Sequence, residues 1–212
     1  MQQTTTETST IAVPFIFEAE ENGFEKETFK VRKWTRDEYY KMAELGFFYG
    51  KRVELIEGEI IEMSPMGKPH ATAIRVLLHI LREIFAQGFI VDSQLPMNFG
   101  KINEPEPDVA VIKGGIRDFA NSHPKTAELI IEVSVSTLRL DRTKKAVLYA
   151  QNKIQDYWIL NLKNRCLEVY RQPKKDKKLG FIYTESRIFT ETDEVSPLAM
   201  SDAKIKIADL LP

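Results

Sequence analysis

Between Thr35 and Thr184 the spacing of apolar positions changes period several times, and each change predicts an element. Thr35-Arg-Asp-Glu38 has the form of a capping box, in which the threonine oxygen accepts a backbone N–H and the glutamate reaches back to the cap. Tyr39, Met42 and Ala43 follow on one face, so a short helix is expected to end near Gly46. Arg52–Ile56 and Glu59–Met63 read as two strands joined at Glu57-Gly58, where glycine permits the positive φ of a tight turn. After Pro65, Gly67 and Pro69, the residues Ile74, Leu77, Leu78, Leu81, Ile84 and Phe85 recur at helical spacing and give one apolar face, with His70 at its start.

Three apolar runs follow, Phe89–Val91, Asp108–Ile112 and Glu128–Val133, each short and rich in Val and Ile as buried strands are. A second helix is expected over Leu140–Asn152, then a strand over Asp156–Leu160. Cys166–Arg171 and Gly180–Thr184 read as a hairpin around the basic loop Lys174-Lys175-Asp176-Lys177-Lys178. Strand, strand, helix, strand implies a mixed sheet with a crossover helix, so the expected fold class is α/β (α+β): a mixed β-sheet core flanked by helices, with an added C-terminal β-hairpin. Residues 1–12 read as a disordered tail. Residues 13–34 read as a charged lead-in whose Phe15, Phe17, Phe24 and Phe29 dock on the body or on a second subunit, and 35–212 as a single domain.

Composition changes little in this picture. The chain has 212 residues, 43% of them hydrophobic and 29% charged, which suits one ordinary globular core. A net charge of −1 gives no whole-molecule field toward phosphate, so nucleic-acid binding requires a local basic surface or an oligomer. The single cysteine, Cys166, excludes an internal disulfide and reads as a buried thiol on a strand, which fits a reducing cytosol. The Thr-rich start carries no basic, apolar leader, and no apolar run approaches the ~18 residues of a membrane span. A cytoplasmic location without a membrane partner is expected.

Candidate chemistry enters with misplaced charges. Asp108 opens the apolar run Val109-Ala110-Val111-Ile112, and Glu132 sits late in Leu129-Ile130-Ile131. An unpaired buried charge costs several kcal/mol, so both carboxylates need partners. Two hard oxygen donors on neighbouring strand ends suit Mg²⁺ or Mn²⁺, an ion that polarises a scissile phosphoryl oxygen and acidifies a bound water. Equally open from these two residues is a capped turn at Asp108 and an arginine pair at Glu132. On the following helix Asp141, Lys145 and Tyr149 fall at i, i+4 and i+8 in one stripe, which either brings the Lys145 ammonium to the site or forms a surface Asp–Lys pair. Glu54, interrupting Val53-Glu-Leu-Ile, and His70 are candidates for a third oxygen and an imidazole at the same ion. His79 leaves the apolar stripe and His123 lies in an Asn-Ser-His-Pro loop, so neither is selected.

Several blocks in fixed order resemble the Uma-type restriction endonucleases of the PD-(D/E)XK nuclease superfamily. They are Val53-Glu-Leu-Ile-Glu-Gly-Glu-Ile-Ile-Glu-Met-Ser-Pro65, Gly67–His70, Pro105-Glu-Pro-Asp-Val-Ala-Val111, Ile130-Ile-Glu-Val-Ser134, Asp141-Arg-Thr-Lys-Lys-Ala-Val-Leu-Tyr-Ala150, Asp156-Tyr-Trp-Ile159 and Val195-Ser-Pro-Leu198. The resemblance implies a metal-dependent endonuclease acting on DNA and yielding a 5′-phosphate. Asp108 and Glu132 would be its acidic pair, the Val133 carbonyl a further metal donor, and Glu54 and His70 additional metal ligands. Ser134 stands where the superfamily motif has lysine, and the resemblance transfers that role to Lys145, with Lys144 as second choice and Tyr149 on the same stripe. Val135 and Leu138 make the loop after Glu132 more apolar than the family pattern. The alternative is a catalytically inactive nuclease-fold module for DNA or protein binding. A homodimer is expected, because two strands must be cut and the lead-in is aromatic.

Overall fold

The computed structural model describes residues 31–212; the expected tail, and the lead-in as far as Lys30, lie outside these residues. Lys33–Pro212 forms one compact unit. Thr35 and Glu38 make the expected capping box at the start of helix α1 (Arg36–Glu44). Strands β1 (Val53–Ile56) and β2 (Glu59–Glu62) pair as an antiparallel hairpin. Its turn has positive φ at both Glu57 (52°) and Gly58 (71°), the backbone twist that a two-residue hairpin favours. At Gly58 a side chain is excluded twice over, because an added Cβ would stand 2.6 Å from that of Lys33.

Helix α2 (Lys68–Ile84) follows with Pro69 in its first turn, where the missing N–H costs nothing. It packs on a six-stranded sheet made, in spatial order, of β3 (Phe89–Asp92), β4 (Val109–Lys113), β5 (Leu129–Ser134), β6 (Asp156–Asn161), β7 (Cys166–Asp176) and β8 (Gly180–Thr190). All neighbours are antiparallel except β5 and β6, which are parallel and joined by the crossover helix. That crossover is α3 (Leu138–Leu140), a π-turn (Asp141–Lys145) and α4 (Ala146–Gln151) run end to end. The mixed α/β reading therefore holds.

Alternation along β4 and β5 divides the core. Val109, Val111, Leu129, Ile131 and Val133 face α2 and the terminal helix α5 (Ile207–Leu210), whereas Ala110, Ile112 and Ile130 face α4. Met97 and Phe99, from the irregular segment between β3 and β4, complete the second half.

Two expectations need correction. β7 and β8 run to 11 residues each, so Lys174 and Lys175 belong to a strand and the turn itself is short. Cross-strand pairing down to Asp176 and Gly180 overrides the loop-like composition. The crossover helix begins at Leu138, before the expected Leu140, and is interrupted by the π-turn. Two-residue strands β9 (Glu194–Val195) and β10 (Ile205–Lys206) pair near the C-terminus and carry no sequence period to announce them.

Candidate functional site

The pairing of β4 with β5 places Val109 opposite Ile131, and one further step brings Asp108 beside Glu132. Asp108 is held from three directions. Its Oδ2 accepts the Val133 N–H at 2.8 Å, Gln94 Nε2 donates to Oδ1 at 3.0 Å, and His70 Nε2 lies 3.0 Å from the same oxygen. Because a strand residue's N–H and C=O point to the same flank, the Val133 carbonyl is turned to the Asp108 side as well.

Glu132 shares a face with Ile130 and therefore meets the crossover helix. Lys145 Nζ reaches its Oε1 at 3.0 Å, and the Tyr149 hydroxyl donates to that oxygen at 2.6 Å. Lys145 also lies 3.2 Å from Glu54 Oε1, while Glu54 Oε2 accepts the Glu106 N–H at 3.2 Å. Seven of the residues singled out above, Glu54, His70, Asp108, Glu132, Val133, Lys145 and Tyr149, thus come together, whereas Lys144, the second choice for the lysine, pairs with Glu59. His79 instead faces Glu83 on an exposed helix surface, and His123 lies 3.7 Å from Glu104.

What delivers Lys145 is the π-turn. The Ala146 N–H reaches back five residues to the Asp141 carbonyl, which also accepts the Tyr157 hydroxyl at 3.0 Å. Arg142, on the same turn, grips Glu168 of β7 with two bonds of 2.8 and 2.7 Å, and Asn161 and Tyr170 donate to the same carboxylate. The wide turn keeps both Asp141 and Lys145 buried.

Further polar side chains line the cleft of about 280 Å³ over this cluster, among them Asp141, Gln94, Glu106 and Arg52. Asp141, whose Oδ2 accepts the Thr137 hydroxyl at 2.8 Å, heads the very stripe that pointed to Lys145. Gln94 and Glu106 come from the segment between β3 and β4, which has no hydrophobic period, and nothing local marks them.

Charge is unbalanced here. Glu54, Asp108, Glu132 and Asp141 are 1, 9, 3 and 2% exposed, and among the described residues the only buried Lys or Arg is Lys145. Burial draws the Lys145 pKa down, but Glu132, Glu54, Asp141 and Asp108 outweigh it and hold the value well above the lysine range. Burial pushes Glu132 far up, with Asp108, Asp141 and Glu54 adding to the effect against Lys145. Asp141 is also raised, chiefly by burial. At Asp108 burial acts in the same sense but is overcome by His70, Lys145 and the Val133 N–H, so its carboxyl lies below the usual range. The buried site thus sets four carboxyl groups beside one ammonium, with the Arg52 guanidinium at the cleft paired to Glu106. Among the described residues no three His, Cys, Asp or Glu side chains enclose an ion by themselves. Two carboxylates and a carbonyl, with water, are nevertheless the hard donors that Mg²⁺ and Mn²⁺ take.

The fold is that of a nuclease-like mixed α/β protein. A solved structure from Anabaena variabilis, described as "a putative nuclease belonging to DUF820", superposes with a TM-score of 0.66 at 19% identity over 83% of this chain and 96% of that one. Residues 36–208 match the family described as "Uma2: Putative restriction endonuclease", and the chain belongs to that family. Comparison with curated proteins finds no match. No helix among the described residues is long and apolar enough to cross a membrane.

Proposed function

We propose that this protein is a divalent-cation-dependent endonuclease that hydrolyses phosphodiester bonds of DNA. The observation that carries the reading is the excess of buried carboxylate around Lys145 at the floor of an open cleft. Asp108, Glu132 and the Val133 carbonyl would hold Mg²⁺ or Mn²⁺, with Glu54 completing the acidic wall. When bound, such an ion polarises the scissile phosphoryl oxygen and lowers the pKa of water.

Each remaining role belongs to the chain itself. The carboxylates around Lys145 favour its charged form, which would place a positive charge beside the developing phosphate anion or orient the attacking water. Glu54, 3.2 Å from that ammonium, helps to keep it in place beside Glu132. Tyr149 fixes the Glu132 carboxylate, and His70 with Gln94 fixes that of Asp108. The family assignment and the described nuclease relative in the solved structure support nucleic acid as the substrate.

A second reading, a silent nuclease-fold module that binds DNA or protein, is favoured by Ser134 at the position where the superfamily motif carries lysine. Incubation of the full chain with plasmid and single-stranded DNA in Mg²⁺ or Mn²⁺ separates the two. Cleavage is expected to require the cation and to fall by a factor of about 100 or more in Asp108→Asn and Lys145→Met. Activity that resists chelation or survives Asp108→Asn would overturn the site; intact cation binding without cleavage of any substrate would favour the silent module.

A further inference from the structure

Strand β8 ends the sheet. Its residues pair with β7 on one side except at Thr184, beside Gln172 with its positive φ of 56°, and among the described residues no strand pairs with the other side. The opposite edge, β3, offers only 4 residues. Long edges invite another chain and are ordinarily blunted by lysine, proline or shortness. Such residues occur on β7, as Pro173, Lys174 and Lys175, but β8 reads Gly180-Phe-Ile-Tyr-Thr-Glu-Ser-Arg-Ile-Phe-Thr190 and has none. Its middle, Thr184–Ile188, is exposed, including Ile188 at 52%.

We infer that β8 is a self-pairing edge through which two copies of this chain join antiparallel into one continuous sheet. Backbone geometry restricts the register. From Glu185 to Thr190, where the strand is regular, alternate residues turn their N–H and C=O outward, and an antiparallel partner must meet them with outward-turned residues of its own. For two identical strands the twofold axis must then pass through a residue and not between residues. Centring on Glu185 sets two carboxylates face to face, and centring on Arg187 sets two guanidinium groups face to face. Centring on Ser186 puts Glu185 opposite Arg187 twice, within the regular stretch Glu185–Thr190.

Within one chain neither charge has an ion-pair partner among the described residues. Glu185 accepts from Gln172 Nε2 at 3.1 Å, and Arg187 lies 4.8 Å over the Phe189 ring. In this register the two charges that would repel a mispaired strand become the selectors of the correct one. The inference is independent of any catalytic role.

Sedimentation equilibrium of the full chain, with circular dichroism as a check on folding, tests it. The wild type is expected to dimerise. Glu185→Arg and Arg187→Glu should each weaken the dimer on the order of tenfold or more, since either turns two attractive pairs into two repulsive ones. The doubly reversed chain Glu185→Arg/Arg187→Glu should regain wild-type association. A monomer at all concentrations overturns the inference, as does a dimer indifferent to the single reversals or not rescued by the double one.

Discussion

An ammonium between two carboxylates, as Lys145 is between Glu132 and Glu54, is both a functional group and a structural one. Replacing it by Met preserves most of the volume and leaves Glu132 and Glu54 without their cation. Breaking a buried pair from one side typically costs about 3 kcal/mol, and urea unfolding of Lys145→Met at neutral pH is expected to show a loss of that size. Tyr149→Phe removes one donor to Glu132 while Lys145 remains, so about 1 kcal/mol is expected from the same measurement. These residues were visible in the sequence for a physical reason: a charge inside an apolar run must be compensated, and the compensation comes from a helix at four-residue spacing. Gln94 and Glu106 were not visible, because their position depends on tertiary contacts such as the Gln94 N–H on the Pro107 carbonyl at 3.0 Å. His70 was visible as the start of an inward face and as a candidate beside Asp108, but its direct contact with the Asp108 carboxylate was not.

Among the elements, the crossover helix shows how far periodicity reaches. Spacing by four gave the right stripe, yet the π-turn that carries Asp141 and Lys145 depends on anchors from other strands, Tyr157 and Glu168, that no local pattern contains. Glu168 is buried, which raises its pKa, but Arg142, Asn161 and Tyr170 outweigh the burial and leave the carboxyl below its usual range. Its contribution to stability is therefore full above the ordinary carboxylate pKa of ~4.3 and is lost as pH falls through the depressed folded value. Glu168→Gln should cost about 2 kcal/mol at pH 7, moderated because Arg142 is half exposed, and the deficit should shrink below a pH of about 4 in urea titrations. Gly58→Ala is expected to destabilise by about 1 kcal/mol or more in thermal or urea unfolding, from the positive φ and the contact with Lys33 together. The β7–β8 hairpin was read too short, because lysines interrupt its pattern, and the β9–β10 pair went unread, because two residues make no pattern.

For the molecule as a whole, a mixed sheet with unlike faces brings strand ends, a crossover helix and the β1 hairpin to one cleft, and this much follows from the order of elements along the chain. Composition could not announce the function, since a net charge of −1 conceals a local excess of carboxylate. That excess is what a divalent cation would offset, so cation binding stands upstream of any cleavage. A titration of the full chain with Mn²⁺, followed by the paramagnetic resonance of the free ion, measures it directly. The expected result is binding at the cleft that Mg²⁺ displaces, with affinity reduced at least tenfold in Asp108→Asn and in Glu132→Gln. Absence of binding, or binding indifferent to both substitutions, would contradict it.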